Sequence, residues 1–188
     1  MKQSEQIKRM SPDELIQALF LSQLIFFAIA IVVSVFIFPS FTDWLDLFHW
    51  DTKEILLLGG VSGLVIVAIN ICLEEVLPPH FLDDGGINEK IFDQQSIGTI
   101  FWITLWIALS EEMLFRGLLQ TTFGLVPASI IFAVVHVRYL KKPVLLIVVV
   151  LMSFYLGYTY YVTNNLLVPI TIHFIIDFLL GLYIRYKK

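Results

Sequence analysis

The sequence predicts an all-α fold: a polytopic membrane helix bundle of about six transmembrane helices. Three observations carry this. The 188-residue chain is 58% hydrophobic and only 15% charged, against about a quarter charged in soluble domains; its mean hydropathy is +0.84. Six apolar segments, separated by polar turns, divide it. Its Lys and Arg residues collect in alternate connections.

The elements follow in order. Ser11-Pro12-Asp13-Glu14 predicts a helix start: Ser11 can cap, Pro12 suits the first turn, and Glu14 completes a capping box. Span one covers about 19–38 and stops before Pro39. Residues 39–54 form an acidic, aromatic loop in which Trp44 and Trp50 are expected as interface anchors. Span two covers about 55–73. Its Gly59-x-x-x-Gly63 suits close helix approach, and Asn70 is expected to bond another helix. The connection 74–96 is turn-rich, with His80 solvated, and lacks the spaced acidic ligands of a calcium loop. Span three covers about 98–120, and 121–123 reads as a short turn. Span four covers about 124–136, and span five about 143–162, where Ser153-x-x-x-Gly157 is a second close-packing candidate. Asn164-Asn165 turns the chain into span six, about 166–184, which Pro169 should kink. The single cysteine, Cys72, excludes an internal disulfide. The first apolar run is too long for a cleavable signal peptide and lacks a small-residue cleavage site.

Charge sets the expected orientation. With both ends on one side, ten basic residues share it: Lys2, Lys8, Arg9, Lys90, Arg138, Lys141, Lys142, Arg185, Lys187 and Lys188. Lys53 alone falls opposite, and Arg116 lies in the membrane. This bias predicts cytoplasmic termini. The compact loops suggest a prokaryotic plasma membrane. The net charge of −4 says less than this distribution, and no nucleic-acid partner is implied.

Span three carries the chemistry. Residues 99–109 alone are about half the roughly 20 residues a span needs. The segment crosses only if Glu111, Glu112 and Arg116 lie at membrane depth, where each costs at least a few kcal/mol unless paired or wet. The alternative stops the span at Leu109 and leaves the charges in the headgroups. The apolar pattern continues through Met113-Leu114-Phe115 and Leu118-Leu119, which favours the first reading. Glu112 and Arg116 are i,i+4 and share a face. Glu111 lies about 100° round the helix, so it is left available. An unpaired carboxylate at low dielectric holds protons more readily, which suits general-base work.

Later spans add His136, four residues after Phe132, and the i,i+4 pair His173 and Asp177. Singly, His136 has the dull reading of an interfacial histidine, and His173–Asp177 that of a private helix-tying pair. Two histidines and three carboxylates in one small bundle favour a shared site. At about 1.5 Å per residue, Glu111 and Asp177 fall near mid-bilayer, His173 in the outer half and His136 toward the inner side. They meet only if span four tilts or shifts, near Pro127.

Glu111-Glu112-x-x-x-Arg116, Phe132-x-x-x-His136 and His173-x-x-x-Asp177, in that order, resemble the CAAX protease and bacteriocin-processing (CPBP, or Abi) family, which includes the type II CAAX prenyl endopeptidases. Asn164-Asn165-Leu166-Leu167-Val168-Pro169 is similar to the family's lead-in to its last motif. The resemblance covers 98–188, a four-helix catalytic core; residues 1–97 supply the N-terminal tail, two spans and a cytoplasmic loop. It implies an intramembrane endopeptidase cutting near a hydrophobic or lipid-modified terminus. Glu111 would activate water, supported by Glu112 and Arg116. His136 would position water or bind a metal, and His173 and Asp177 would polarise the carbonyl. The last position is Asn in the prenyl-protease branch, and an Asp donates to an oxyanion only if protonated. Asp177 therefore also fits as a His173 orienter or metal ligand.

The implied cofactor is either none or Zn2+. A zinc version would draw on His136, His173 and Glu111 or Asp177, but no His-x-x-x-His pair exists. Glutamate-activated water is the preferred reading. The implied partners are membrane lipids and a hydrophobic or lipidated peptide. Two alternatives stand: a non-catalytic immunity or scaffold protein of the same fold, and a small proton-coupled transporter. The intact motif set disfavours the former, and the lack of visible inverted repeats disfavours the latter.

Overall fold

A computed structural model describes residues 10–187. Lys2, Lys8, Arg9 and Lys188, counted above for charge, lie outside the described residues. These contain eight helices and no strand. α1 is Pro12–Ile37, α2 is Phe41–Leu45 and α3 is Glu54–Val76. α4 is Ile87–Phe92 and α5 is Ile97–Phe123. α6 is Leu125–Val135, α7 is Pro143–Thr163 and α8 is Leu167–Tyr186. Pro79–Phe81 and Val137–Tyr139 are single 3-10 turns.

Five helices among the described residues are long and apolar enough to cross a membrane: α1, α3, α5, α7 and α8. The sixth expected span is shorter. α6 has 11 residues, about 16 Å of helix against a roughly 30 Å hydrocarbon core. It packs along only part of α7. Leu125 begins it beside Gly157 of α7, and the 3-10 turn that follows reaches Asn88 through Arg138, at 3.5 Å.

Local signals explain most boundaries. The Ser11–Glu14 capping box forms, with Pro12 in the first turn. α1 therefore starts seven residues before the expected span, because polar residues extend it beyond the apolar run. Gly124, at φ 87°, ends α5; residues 121–123 are a last helical turn rather than a loop. Asn164 turns the chain left-handed at φ 49°. Pro169 lies in the first turn of α8, where backbone N–H groups have no partner within the helix, so the expected kink has no cause. Asn70 donates to Ile66 O of its own helix at 2.9 Å rather than to another helix.

α8 is central, packing on α3, α5 and α7. A Cβ on Gly63 would come within 2.9 Å of Ile175 Cβ, and one on Gly59 within 3.1 Å of Thr171 Cβ. The glycine pair thus seats α3 on α8, as its spacing suggests. α1 and α6 cover the other sides of α5. Trp44 is not an interface anchor: it is 4% exposed and packs in the largest apolar cluster, with Phe115, Leu118 and Leu166. Trp50 is exposed.

The connections sort to two ends. Lys90 Nζ reaches Met10 O at 3.4 Å, Lys142 pairs with Asp83 at 3.4 Å, and Lys187 pairs with Glu74 at 2.8 Å. The Glu74 contact holds the Lys187 ammonium up to about 12. Residue 10 and residue 187 therefore lie at the same end. Leu166 N donates to Leu47 O at 2.7 Å, and Asn165 to Glu54 at 3.1 Å, at the other end.

Candidate active site

α5 does not stop at Leu109. It runs through the acidic pair, and every residue from Ser110 to Leu118 is buried. From Met113 to Gln120 the winding is π rather than α, a form that is rare and frequent at functional sites. Glu112 precedes the change and Arg116 lies within it; residues four apart still meet. Arg116 Nε lies 3.2 Å from Glu112 Oε2, and Nη1 donates to Oε1 at 3.2 Å. The Nε contact is an ion pair without in-line hydrogen-bond geometry.

The pair is wholly desolvated, at 0% and 1% exposure. Such burial is tolerable only if each charge has further partners. Arg116 Nη2 donates to Ser153 O at 2.9 Å and to Ser153 Oγ at 3.1 Å on α7. Its guanidinium lies 4.6 Å over the Phe132 ring of α6. Glu112 Oε1 receives His173 Nδ1 from α8 at 2.7 Å. Three neighbouring helices thus converge on one ion pair.

His173 lies between two carboxylates, with Nε2 at 3.5 Å from Asp177 Oδ2. Asp177 is half-buried, so this end of the network is the more open one. The i,i+4 pair on α8 is therefore part of the larger network and not private.

Glu111 faces another way, as its helix position requires. It is 6% exposed. It is not wholly unpartnered: Gln23 Nε2 on α1 donates to its Oε1 at 2.9 Å. Its second oxygen has no hydrogen-bond partner among the described residues. Gln23 Oε1 accepts from Ser110 Oγ at 2.6 Å.

His136 stands apart from the acids. Its Nδ1 meets the carbonyl of Phe132, one turn back, at 2.7 Å. Its ring lies 4.6 Å from Phe132 and 6.1 Å from Tyr139. No hydrogen bond or ion pair joins it to Glu111 or His173 among the described residues. Phe132 is the link, touching both His136 and Arg116. Tyr139 is buried, which raises its hydroxyl above the usual range.

These donors do not fit a zinc site. His173 has one nitrogen on Glu112 and the other facing Asp177. His136 offers only Nε2. No three described His, Cys, Asp or Glu side chains converge to hold a metal.

Three residues were not singled out for this chemistry from sequence. Gln23 is a polar residue at membrane depth, a signal available within span one. Ser153 reads as a small packing residue but also accepts from Arg116. Phe132 reads only as the start of a motif. Their partners lie on other helices, and no spacing rule reports those.

Residues 93–179 match the model of a family described as type II CAAX prenyl endopeptidase Rce1-like. A Bacillus subtilis (strain 168) protein described as "Uncharacterized protein YpbD" is 46% identical over 169 residues, 89% of this chain and 88% of that one. No solved structure gives a significant match.

Proposed function

This chain belongs to the CAAX-protease, Rce1-like family, and from that membership we propose that it is an intramembrane endopeptidase with Glu111 as its base. The observation that supports this most is the division of labour between adjacent carboxylates. Glu112 is neutralised by Arg116 and His173, while Glu111 keeps one oxygen without a hydrogen-bond partner among the described residues.

In the proposed reaction, that oxygen takes a proton from water, and the water oxygen bonds to the scissile carbonyl carbon. The carbonyl π pair moves onto oxygen. Collapse of the tetrahedral intermediate breaks the C–N bond, and Glu111 returns the proton to the leaving amine. His173 is the proposed oxyanion donor. The proposed role uses the ring with a hydrogen on each nitrogen, Nδ1–H on Glu112 and Nε2–H facing Asp177. The 3.5 Å gap to Asp177 exceeds a normal hydrogen bond, so a substrate carbonyl could take over Nε2–H. His136 is proposed to orient water through Nε2. The substrate class is a peptide with a hydrophobic or lipid-modified terminus, reached within the membrane.

The test is cleavage of quenched peptides with plain or prenylated hydrophobic ends by purified protein in lipid vesicles. Glu111→Ala, His136→Ala and His173→Ala are each expected to abolish turnover, with helicity retained. Full activity in Glu111→Ala would end the assignment. A folded protein that cleaves nothing in the panel would favour the non-catalytic scaffold reading.

A further inference from the structure

Glu111 is held by a residue outside the matched segment. Gln23 belongs to α1, and the family match begins at residue 93. α1 turns Phe20, Leu21, Leu24 and Ile25 outward. The side it buries carries Leu15, Gln23, Ala30 and Ser34. Gln23 is therefore a long polar side chain on a face of apolar or small residues. It is 6% exposed. Burying an amide costs several kcal/mol in an apolar setting unless its groups are bonded. Here the amide bonds fall on Glu111 at one end and Ser110 at the other.

We propose that Gln23, with Ser110, is a positioning residue for Glu111, aiming its free oxygen at the attacking water. This rests on Glu111 acting as the base. The chemistry suits a group that must take a proton and later return it. An amide has a donor end and an acceptor end and changes no charge. When Glu111 is a carboxylate, Gln23 N–H points to it. When Glu111 holds the proton taken from water, the amide turned over offers Oε1 to that proton. Ser110 accommodates both states. Its hydroxyl reaches Gln23 Oε1 at 2.6 Å and Trp106 O at 2.7 Å. It donates to Gln23 in the first state. In the second it donates to Trp106 and accepts from the Gln23 amide. A cation at position 23 would instead pin Glu111 in one state.

A purely structural role, tying α1 to α5, would leave the kcat of a folded variant unchanged even where the carboxylate band moves. Gln23→Met keeps the chain length and removes both bonds; Ser110→Ala leaves α1 intact and removes only the support. Protein labelled with 13C-glutamate, with the spectrum of Glu111→Gln subtracted, isolates the Glu111 carboxylate band by infrared spectroscopy in lipid. The expected result is a shifted band in Gln23→Met and a smaller shift in Ser110→Ala. The kcat of Gln23→Met falls about 10- to 100-fold, the range for a misplaced catalytic group, while KM is unchanged. A band that stays in place in both variants overturns the proposal. So does a shifted band with unchanged kcat. Turnover retained by Glu111→Ala would instead remove the base assignment; the infrared shift, read without substrate, separates that failure from failure of the Gln23 contact.

Discussion

Glu111 and Glu112 are chain neighbours in opposite settings. About 100° of helix rotation sends one toward α1 and the other toward α7 and α8. Glu112 shares its charge with two cationic or proton-bearing groups, and both it and Arg116 are out of reach of water. Removing the acid strands the base. Glu112→Ala is expected to destabilise the protein by about 3–5 kcal/mol, the range for breaking a buried pair, and to abolish turnover. Thermal unfolding in detergent checks this; a melting temperature equal to the parent's would contradict it. Ser153→Ala should cost only about 0.5–1.5 kcal/mol, because the Ser153 backbone carbonyl still accepts from Arg116 Nη2. The same unfolding assay compares the two.

At the level of elements, α8 organises the bundle through close contacts that glycines permit. Gly63 and Gly60 lie on the same helix with different neighbours. A Cβ at Gly63 would meet Ile175 Cβ and Cγ2 at 2.9 Å, atoms near a backbone that cannot swing away. A Cβ at Gly60 would meet only Ile55 O, at 3.8 Å. Gly63→Ala should therefore force α3 off α8 at about 1–3 kcal/mol, as overpacking does. Gly60→Ala should be neutral or stabilising by up to about 1 kcal/mol, since alanine loses less backbone freedom. Paired melting curves decide between them; equal losses would mean that the α3–α8 approach is not limiting. α5 shows the limit of helix rules. Its apolar run follows from sequence, but nothing local announces a π stretch at Met113–Gln120. Its polar bonds to other helices, such as Gln120 Nε2 to Gly157 O at 2.7 Å, are tertiary.

For the whole molecule, the two ends of the bundle carry different charge. The contacts of Lys90, Lys142 and Lys187 gather the basic connections and both described chain ends on one side. Lys53 precedes Glu54, which Asn165 bonds at the other side. The basic end is expected in the cytoplasm. Reporter fusions at the C-terminus and in the 137–142 connection should report cytoplasm, and one in the 39–53 connection the opposite compartment. A cytoplasmic signal from the 39–53 connection would contradict that orientation. The shortness of α6 bears on the site as well. His136 ends this helix, and its link to the acids runs through Phe132 rather than by direct bonding. Among the described residues His136 is half-buried and its only hydrogen bond is to the Phe132 carbonyl, so the shortened span four makes no direct bond to the acids.

Hydropathy, caps and i,i+4 spacing determined the helical class, nearly all the spans, the Glu112–Arg116 and His173–Asp177 pairs, and the burial of charge in α5. These are local properties, fixed by transfer free energies and helix geometry along one chain direction. Which helices face one another was decided only in three dimensions. Rotation and tilt placed Gln23 on Glu111, Ser153 and Phe132 on Arg116, His173 on Glu112, and Trp44 in the core. Those contacts depend on packing between segments as far apart as residues 23 and 111, and no periodicity within either segment encodes the partner.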